Sequence, residues 1–355
     1  MHWNQYPEVT SPLGRTIEEQ LAPRPRRQPL EGFEAVYSDI VDYIVRCTHR
    51  IWEQKNPGLC RTHYAKDAVM HTLAGPTCGV DAVIQNTIGS LSAYTDRHVI
   101  AEDVIWSEDE PGLFLSSHRI TSAATHLGDD AQGTATLGFS SVTTIADCLV
   151  RENHIIEEWL VRDNITAVRQ AGLDPEQVAR CAATHDAEGD RSRHAWRHHW
   201  LSAVRAAPWR LPPDGHPARQ PAEMLNRALV GDLPGEASLM LSPCVEVRWP
   251  SGRHGFGRGY WIGCVLQLRA ALHRAALRLD HWAARPLPNG DVAVALRWSL
   301  AGVHSGYGVW GKPTGHEVLV LAITHFRLRS GLIIAEQTVF DELAILRQVS
   351  GGLCE

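Results

Sequence analysis

Hydrophobic and polar positions change rhythm along this 355-residue chain in the same order twice. Phe33, Val36, Tyr37, Ile40, Val41, Ile44 and Cys47 recur at helical spacing and predict an amphipathic helix reaching about Gln54, where Asn56-Pro57-Gly58 breaks it. A second helix is expected after Gly79, with Val83, Ile84, Ile88 and Leu91 on one side. Four strand-like runs come next, around residues 98–106, 113–123, 137–150 and 154–162. Asp174-Pro175-Glu176-Gln177 offers an N-cap, Pro at N1 and Gln at N3, so a closing helix starts there. The second round predicts helices over 223–230 and 260–276, then strands around 276–284, 291–301, 316–328 and 332–340. Val292, Val294, Leu296, Trp298 and Leu300 alternate as in a half-buried strand. Helices first and a strand meander after them predict α+β rather than a parallel βαβ sheet.

The repetition extends to residue identity. Displaced by 178 positions, residues 111–170 lie over 289–348 without a gap, and 17 of the 60 positions are identical. The matches include Arg119/Arg297, His126/His304, Gly128/Gly306, Glu158/Glu336 and Asp163/Asp341. The pattern predicts two copies of one domain: an N-terminal arm over 1–32, domains over 33–184 and 221–355, and a linker over 185–220. The arm is rich in Pro and Arg, and the linker passes from a His-rich stretch to APWRLPPDGHPARQP.

Composition narrows the class. Hydrophobic residues at 44% and charged residues at 21% describe an ordinary globular protein. A formal charge of −6 gives no electrostatic reason to expect nucleic acid, and no apolar run approaches a membrane span. MHWNQYPEV lacks the basic and apolar regions of a secretory signal, and the eight cysteines form no CxxC pair; both point to reduced thiols and a cytoplasmic setting. His194, His198 and His199 could face one metal from adjacent turns, but a solvated basic helix is the favoured reading, so no metal is expected.

The repeated polar residues are the site candidates. Counting by twos, Asp163 shares a strand face with Ile155, Trp159 and Val161, while Glu158 points the other way; Asp341 follows Ile333, Ala335, Gln337 and Val339. A carboxylate closing an apolar face is desolvated, which raises its pKa toward that of a general base; each Asp also precedes a helix-like segment and suits an N-cap. The two roles stay open. His126 and His304, at one fixed interval from the aspartates, fit hydrogen-bond donors or proton carriers. For Arg119 and Arg297 the preferred reading is a structural salt bridge, to Glu158 or Glu336. Trp159, Arg119, Arg297, Gln337, His71 and Trp249 complete the set as substrate-binding candidates. His71, like His98, His118 and His325, has no twin, and packing or surface is the commoner role for all four.

At these residues the chain resembles a known family. His304–Val318 (HSGYGVWGKPTGHEV), followed by GLIIAEQTVFDELAILRQ, is similar to the SnoaL-like polyketide cyclases of the nuclear transport factor 2-like (NTF2-like) superfamily. The first half carries the resemblance through YAKDAVMHTLAGPTCGVDAV and IADCLVRENHIIEEWLVRDNITAVRQAGL. The resemblance implies an α+β fold in tandem, each unit a cone of helices over a curved, mainly antiparallel sheet. It implies catalysis without metal or cofactor, with His126 and Asp163, and His304 and Asp341, at the positions of the family motif. Two departures stand out: Gln337 replaces the motif Trp kept at Trp159, and Ala135-Thr136-Leu137 replaces the Pro-Thr-Gly kept at Pro313-Thr314-Gly315.

The expected function is acid/base chemistry on a small hydrophobic carbonyl compound: aldol-type cyclisation, isomerisation or dehydration. The alternative is a small-molecule-binding module without turnover. The two tethered domains are expected to pair within one chain as a pseudo-dimer, with further pairing of whole chains through the arm left open.

Overall fold

The computed structural model describes residues 5–189, 191–207 and 209–350. The first half opens with a short helix, Ile17–Leu21 (α1), then Ile40–Thr48 (α2), which runs on through a π-helical turn, His49–Glu53, and Cys60–His63 (α3). The predicted start at Phe33 is too early. Asp39 is the N-cap and accepts from the Asp42 amide at 2.9 Å, while Phe33 lies in the preceding loop with its ring edge-on to Tyr43. Two short strands, Tyr64–Thr72 (β1) and Gly75–Cys78 (β2), precede the helix Val80–Ala93 (α4). The meander follows as His98–Glu110 (β3), Leu113–Thr125 (β4), Phe139–Arg151 (β5) and His154–Arg162 (β6). Asn164–Gln170 (α5), Pro175–Gly189 (α6) and Arg191–Ala206 (α7) lead to the second half.

There the order recurs: Arg219–Leu229 (α8), Pro234–Ala237 (α9), Leu241–Trp249 (β7), Arg253–Phe256 (β8), Arg258–Ala271 (α10), Leu272–Pro286 (β9), Val292–His304 (β10), Glu317–Arg329 (β11), Leu332–Phe340 (β12) and Glu342–Ser350 (α11). Each half forms a six-stranded sheet, β2-β1-β6-β5-β4-β3 and β8-β7-β12-β11-β10-β9. All neighbours are antiparallel except β1·β6 and β7·β12. The architecture is α+β, two mixed sheets with helices.

The two sheets meet through one face of each. Ile105 packs against Ala283, Ala293 and Ala295, and Ile145, Trp159 and Val161 join the core of the second half. Arg297 donates to Asp147 at 3.0 Å with both side chains buried, and its guanidinium lies 3.5 Å from the Trp159 ring centre. Arg285 does the same for Trp106, 3.2 Å over the ring and donating to its carbonyl. Ser117–His325, His281–Asp109 and Gln337–Thr143 are further hydrogen bonds across this seam. The stretch expected as an arm lies on the first half: Val9 and Leu30 join its core, and Gln20 donates to the Ala101 carbonyl. In the linker, Trp200 of α7 sits under the Arg278 guanidinium. No helix among the described residues is long and apolar enough to cross a membrane, and all described cysteines are free.

Candidate active site

A β-bulge fixes what faces inward in the first half. Where β5 pairs with β6 the register slips between Leu149 and Val150, so Ile155 joins the side of Glu158, Leu160 and Arg162, and Trp159, Val161 and Asp163 take the other side. The inner side closes over a cavity of about 80 Å³ beneath α2, its π-helical turn and α4. Ile44, Ile51, Val83, Ile120 and Ile155 make its walls apolar. The floor stays open because β5 offers only Thr144, Ala146 and Cys148.

Four polar side chains converge there. Glu158 is buried and accepts from the Tyr64 hydroxyl at 2.8 Å; desolvation pushes its carboxyl above the usual range, against that hydrogen bond and the positive Arg162. His118 is buried with neither ring nitrogen hydrogen-bonded, and burial pushes it down to about 3, so the ring is neutral. Arg162 donates to Thr144 at 3.2 Å, and Arg97 lies over the Trp52 and Tyr94 rings. Arg97, Ser122 and Arg162 also line a wider, outer cavity of about 520 Å³ bounded by Tyr94, Asp130 and Asn164. Together the two spaces make an apolar-walled inner chamber behind a polar antechamber.

The same positions in the second half are filled. With the 178-residue offset, Val83 becomes Trp261, Ile120 becomes Trp298, Cys148 becomes Phe326, His118 becomes Leu296 and Arg162 becomes Phe340, and all five replacements are buried. Glu336, the counterpart of Glu158, is clamped by the Trp249 and Trp261 indoles at 2.8 and 2.5 Å and by Thr338. Burial still pushes it up to about 7.

The residues singled out from the sequence fall into three places. Asp163 and Asp341 cap α5 and α11, accepting from the Thr166 and Ala344 amides, and neither lines the inner cavity. Asp163 also accepts from the Ser251 amide, and Asp341 from Asn164, so both sit where the halves meet; desolvation pushes Asp341 up to about 6. His126, just past β4, and His304, the last residue of β10, are buried, His126 stacked on Tyr94 and His304 against Trp310. Their neighbours Gly128 and Gly306 explain the shared H-x-G: a Cβ would lie 2.8 Å from the Ser92 carbonyl and 2.0 Å from the Ala270 carbonyl, so the turns press onto the ends of α4 and α10.

Trp159, Arg297, Gln337 and His71 lie along the seam between the halves. His71 stacks on Trp159, and burial and Arg297 push it down to about 4. Trp249 serves Glu336 inside the second half. The salt bridges expected to Glu158 and Glu336 have other partners: Arg119 pairs with Glu102 and Arg297 with Asp147. Arg119 and Gln337 do share a polar cavity of about 470 Å³ between the sheets, yet its charges are paired locally, as Arg119–Glu102 and Arg248–Glu246. Glu158 entered the sequence reading only as a salt-bridge partner and His118 only as packing, while Arg97 and Arg162 carried no mark. The available signal was contrast: inner positions small or polar in one half and bulky in the other.

No family model matches the chain, and no curated protein is similar to it in sequence. Solved structures are similar. IdmH from Streptomyces antibioticus, assigned as a polyketide cyclase, is 21% identical over 37% of this chain and 97% of its own, with a TM-score of 0.32. A protein from Jannaschia sp. CCS1, assigned as a SnoaL-like polyketide cyclase, is 20% identical over 39% of this chain and 98% of its own, also at 0.32. AclR from Streptomyces galilaeus, assigned as a hydroxylase, is 18% identical over 37% and 92%, at 0.32. In this chain each half is one six-stranded mixed sheet with helices. Each of these three similarities covers little more than a third of this chain.

Proposed function

We propose that the chain is an acid/base enzyme acting on a small, largely apolar carbonyl compound, and that its working site is the inner cavity of the first half. The observation that carries this reading is Glu158, a desolvated carboxyl facing a cavity that the second half has filled with Trp261, Trp298 and Phe326. Desolvation makes the Glu158 carboxylate a stronger base than an exposed one. It takes the proton from a carbon beside the substrate carbonyl, and the electron pair moves onto the carbonyl oxygen. The neutral His118 ring and the Arg162 guanidinium supply donors for that enolate oxygen. The proton now on Glu158 closes each route: it returns to another carbon (isomerisation), goes to the alkoxide formed when the enolate attacks a second carbonyl (aldol-type closure), or leaves as water with the expelled β-hydroxyl (dehydration). In this reading Asp163, Asp341, His126 and His304 hold caps, turns and the seam. The two halves act as an intrachain pseudo-dimer with one open cavity.

The test is a thermal-shift screen of small acyclic carbonyl compounds of a few carbon atoms, with product analysis of every hit. Positioned proton transfer contributes ~10²–10⁴ in rate, so Glu158→Gln loses at least about a hundredfold in turnover while Asp163→Asn stays near the wild type. Hits returned unchanged by the wild type, or turnover unchanged in Glu158→Gln, overturn the reading.

A further inference from the structure

Two cations stand at the junction of the inner and outer cavities, and neither makes a salt bridge. Arg97 is 6% exposed, and its Nε is buried without a hydrogen-bond partner. It makes no salt bridge; two aromatic rings, Trp52 at 5.4 Å and Tyr94 at 5.0 Å, are its company. Arg162, on β6 beside Glu158, has Thr144 as its hydrogen-bond partner and likewise no salt bridge. Both guanidiniums line both cavities. The carboxylates that act on them from further off form no salt bridge with them and accept from neutral donors instead: Asp130 from Tyr94, Asp341 from the Ala344 amide and Asn164, Glu158 from Tyr64, and Asp96 from the Thr125 amide.

The balance of terms decides what this means. Taking a guanidinium out of water costs more than a cation–π contact at these distances returns. Burial and the neighbouring Arg162 hold Arg97 down to about 9, the mark of a cation short of a partner. Two like charges facing one space raise the cost further. Among the described residues every other deeply buried arginine has its counter-group: Arg297 has Asp147 and Arg285 the Trp106 carbonyl.

We propose that Arg97 and Arg162 form the carboxylate-binding end of the site, and that the substrate is a small organic acid. Its carboxylate lies between the two guanidiniums at the junction, and its apolar carbons extend inward along Ile44, Ile51, Val83 and Ile120. An inner space of about 80 Å³ admits a few carbon atoms and no ring system, so the acid is short-chain. This placement rests on the inner cavity being the working site and adds the chemistry of what enters it.

Hexanoate, the isosteric hexanamide and inorganic phosphate are the probes, with the full chain, in thermal shift and isothermal titration. Hexanoate raises the melting temperature with saturation, and hexanamide does not, because an amide brings no charge. Arg97→Gln and Arg162→Gln each weaken hexanoate binding at least about tenfold. Without ligand both variants melt no lower than the wild type, since each removes a desolvated cation that has no salt bridge. That second readout separates a ligand site from a structural arginine, whose loss would lower the melting temperature. Binding survives Glu158→Gln, so failure of the acid/base reading and failure of this one are told apart. Equal stabilisation by hexanamide, equal binding of phosphate and hexanoate, or unchanged hexanoate binding in both arginine variants overturns the proposal.

Discussion

The filled half makes a thermodynamic prediction at Glu336. Its carboxyl is buried among Trp249, Trp261 and Thr338 and titrates near about 7 when folded, against 4.5 as the ordinary value. An acid whose folded pKa is raised binds its proton more tightly in the folded state. Its stabilisation is therefore fully present below about 4.5 and is lost as pH rises through about 7. At ~1.4 kcal/mol per unit the whole effect is about 3 kcal/mol, of which about 2 falls between roughly pH 5.5 and pH 8. The wild-type profile alone cannot show this. His118 and His71, pushed down to about 3 and about 4, run the other way and gain stability as pH rises through their unfolded pKa. The clean readout is the difference between the wild type and Glu336→Gln in urea unfolding followed by circular dichroism. The glutamine oxygen can accept from one indole while its NH₂ faces the other, a pH-independent offset of about 1–3 kcal/mol. On top of that offset, the wild type loses about 2 kcal/mol relative to the variant from pH 5.5 to pH 8. A difference curve flat to within about 0.5 kcal/mol would refute the assignment of the buried acid.

At the seam, Arg297→Met leaves Asp147 charged and buried and costs about 3–5 kcal/mol in urea unfolding, while Arg297→Met with Asp147→Leu recovers most of it; a single-variant cost below about 1 kcal/mol would show that the pair is not desolvated. Gly306→Ala drives a methyl group to 2.0 Å from the Ala270 carbonyl and lowers stability by at least about 1–3 kcal/mol in thermal denaturation, and an unchanged melting temperature would mean the turn does not press on α10.

What was legible in the sequence was whatever packing repeats. The eight long strands and the helices α4 and α10 stand close to their predicted places, because alternation and helical spacing report burial directly. The strands β1, β2, β7 and β8, which precede α4 and α10, were missed. Tyr64–Thr72 has no clean alternation, since Tyr64 and Met70 face the cavity of their own half, Lys66 and Asp67 are both exposed and Ala68 is buried. Strand parity placed Asp163 and Glu158 on opposite faces correctly but could not see the bulge that carries Ile155 across. Nor could parity tell which face meets a cavity and which meets the other half. Identity between the halves marked what both need to fold: the capping aspartates and the turn glycines. The candidate site lies where the halves disagree, at His118/Leu296, Cys148/Phe326 and Arg162/Phe340, positions that a search for matches passes over.

Tryptophan and phenylalanine in one core and open space in the other have a consequence for how such a molecule can change. In an assembly of two identical subunits, a substitution that plugs one cavity plugs both, and one that loosens a core to admit a new ligand loosens it twice. Here the copies are spelled separately, so Cys148 and Phe326 are free to differ. The second half serves as ballast, its dense interior holding up its side of the seam. The first half can then explore new shapes for its cavity at half the risk of unfolding the whole.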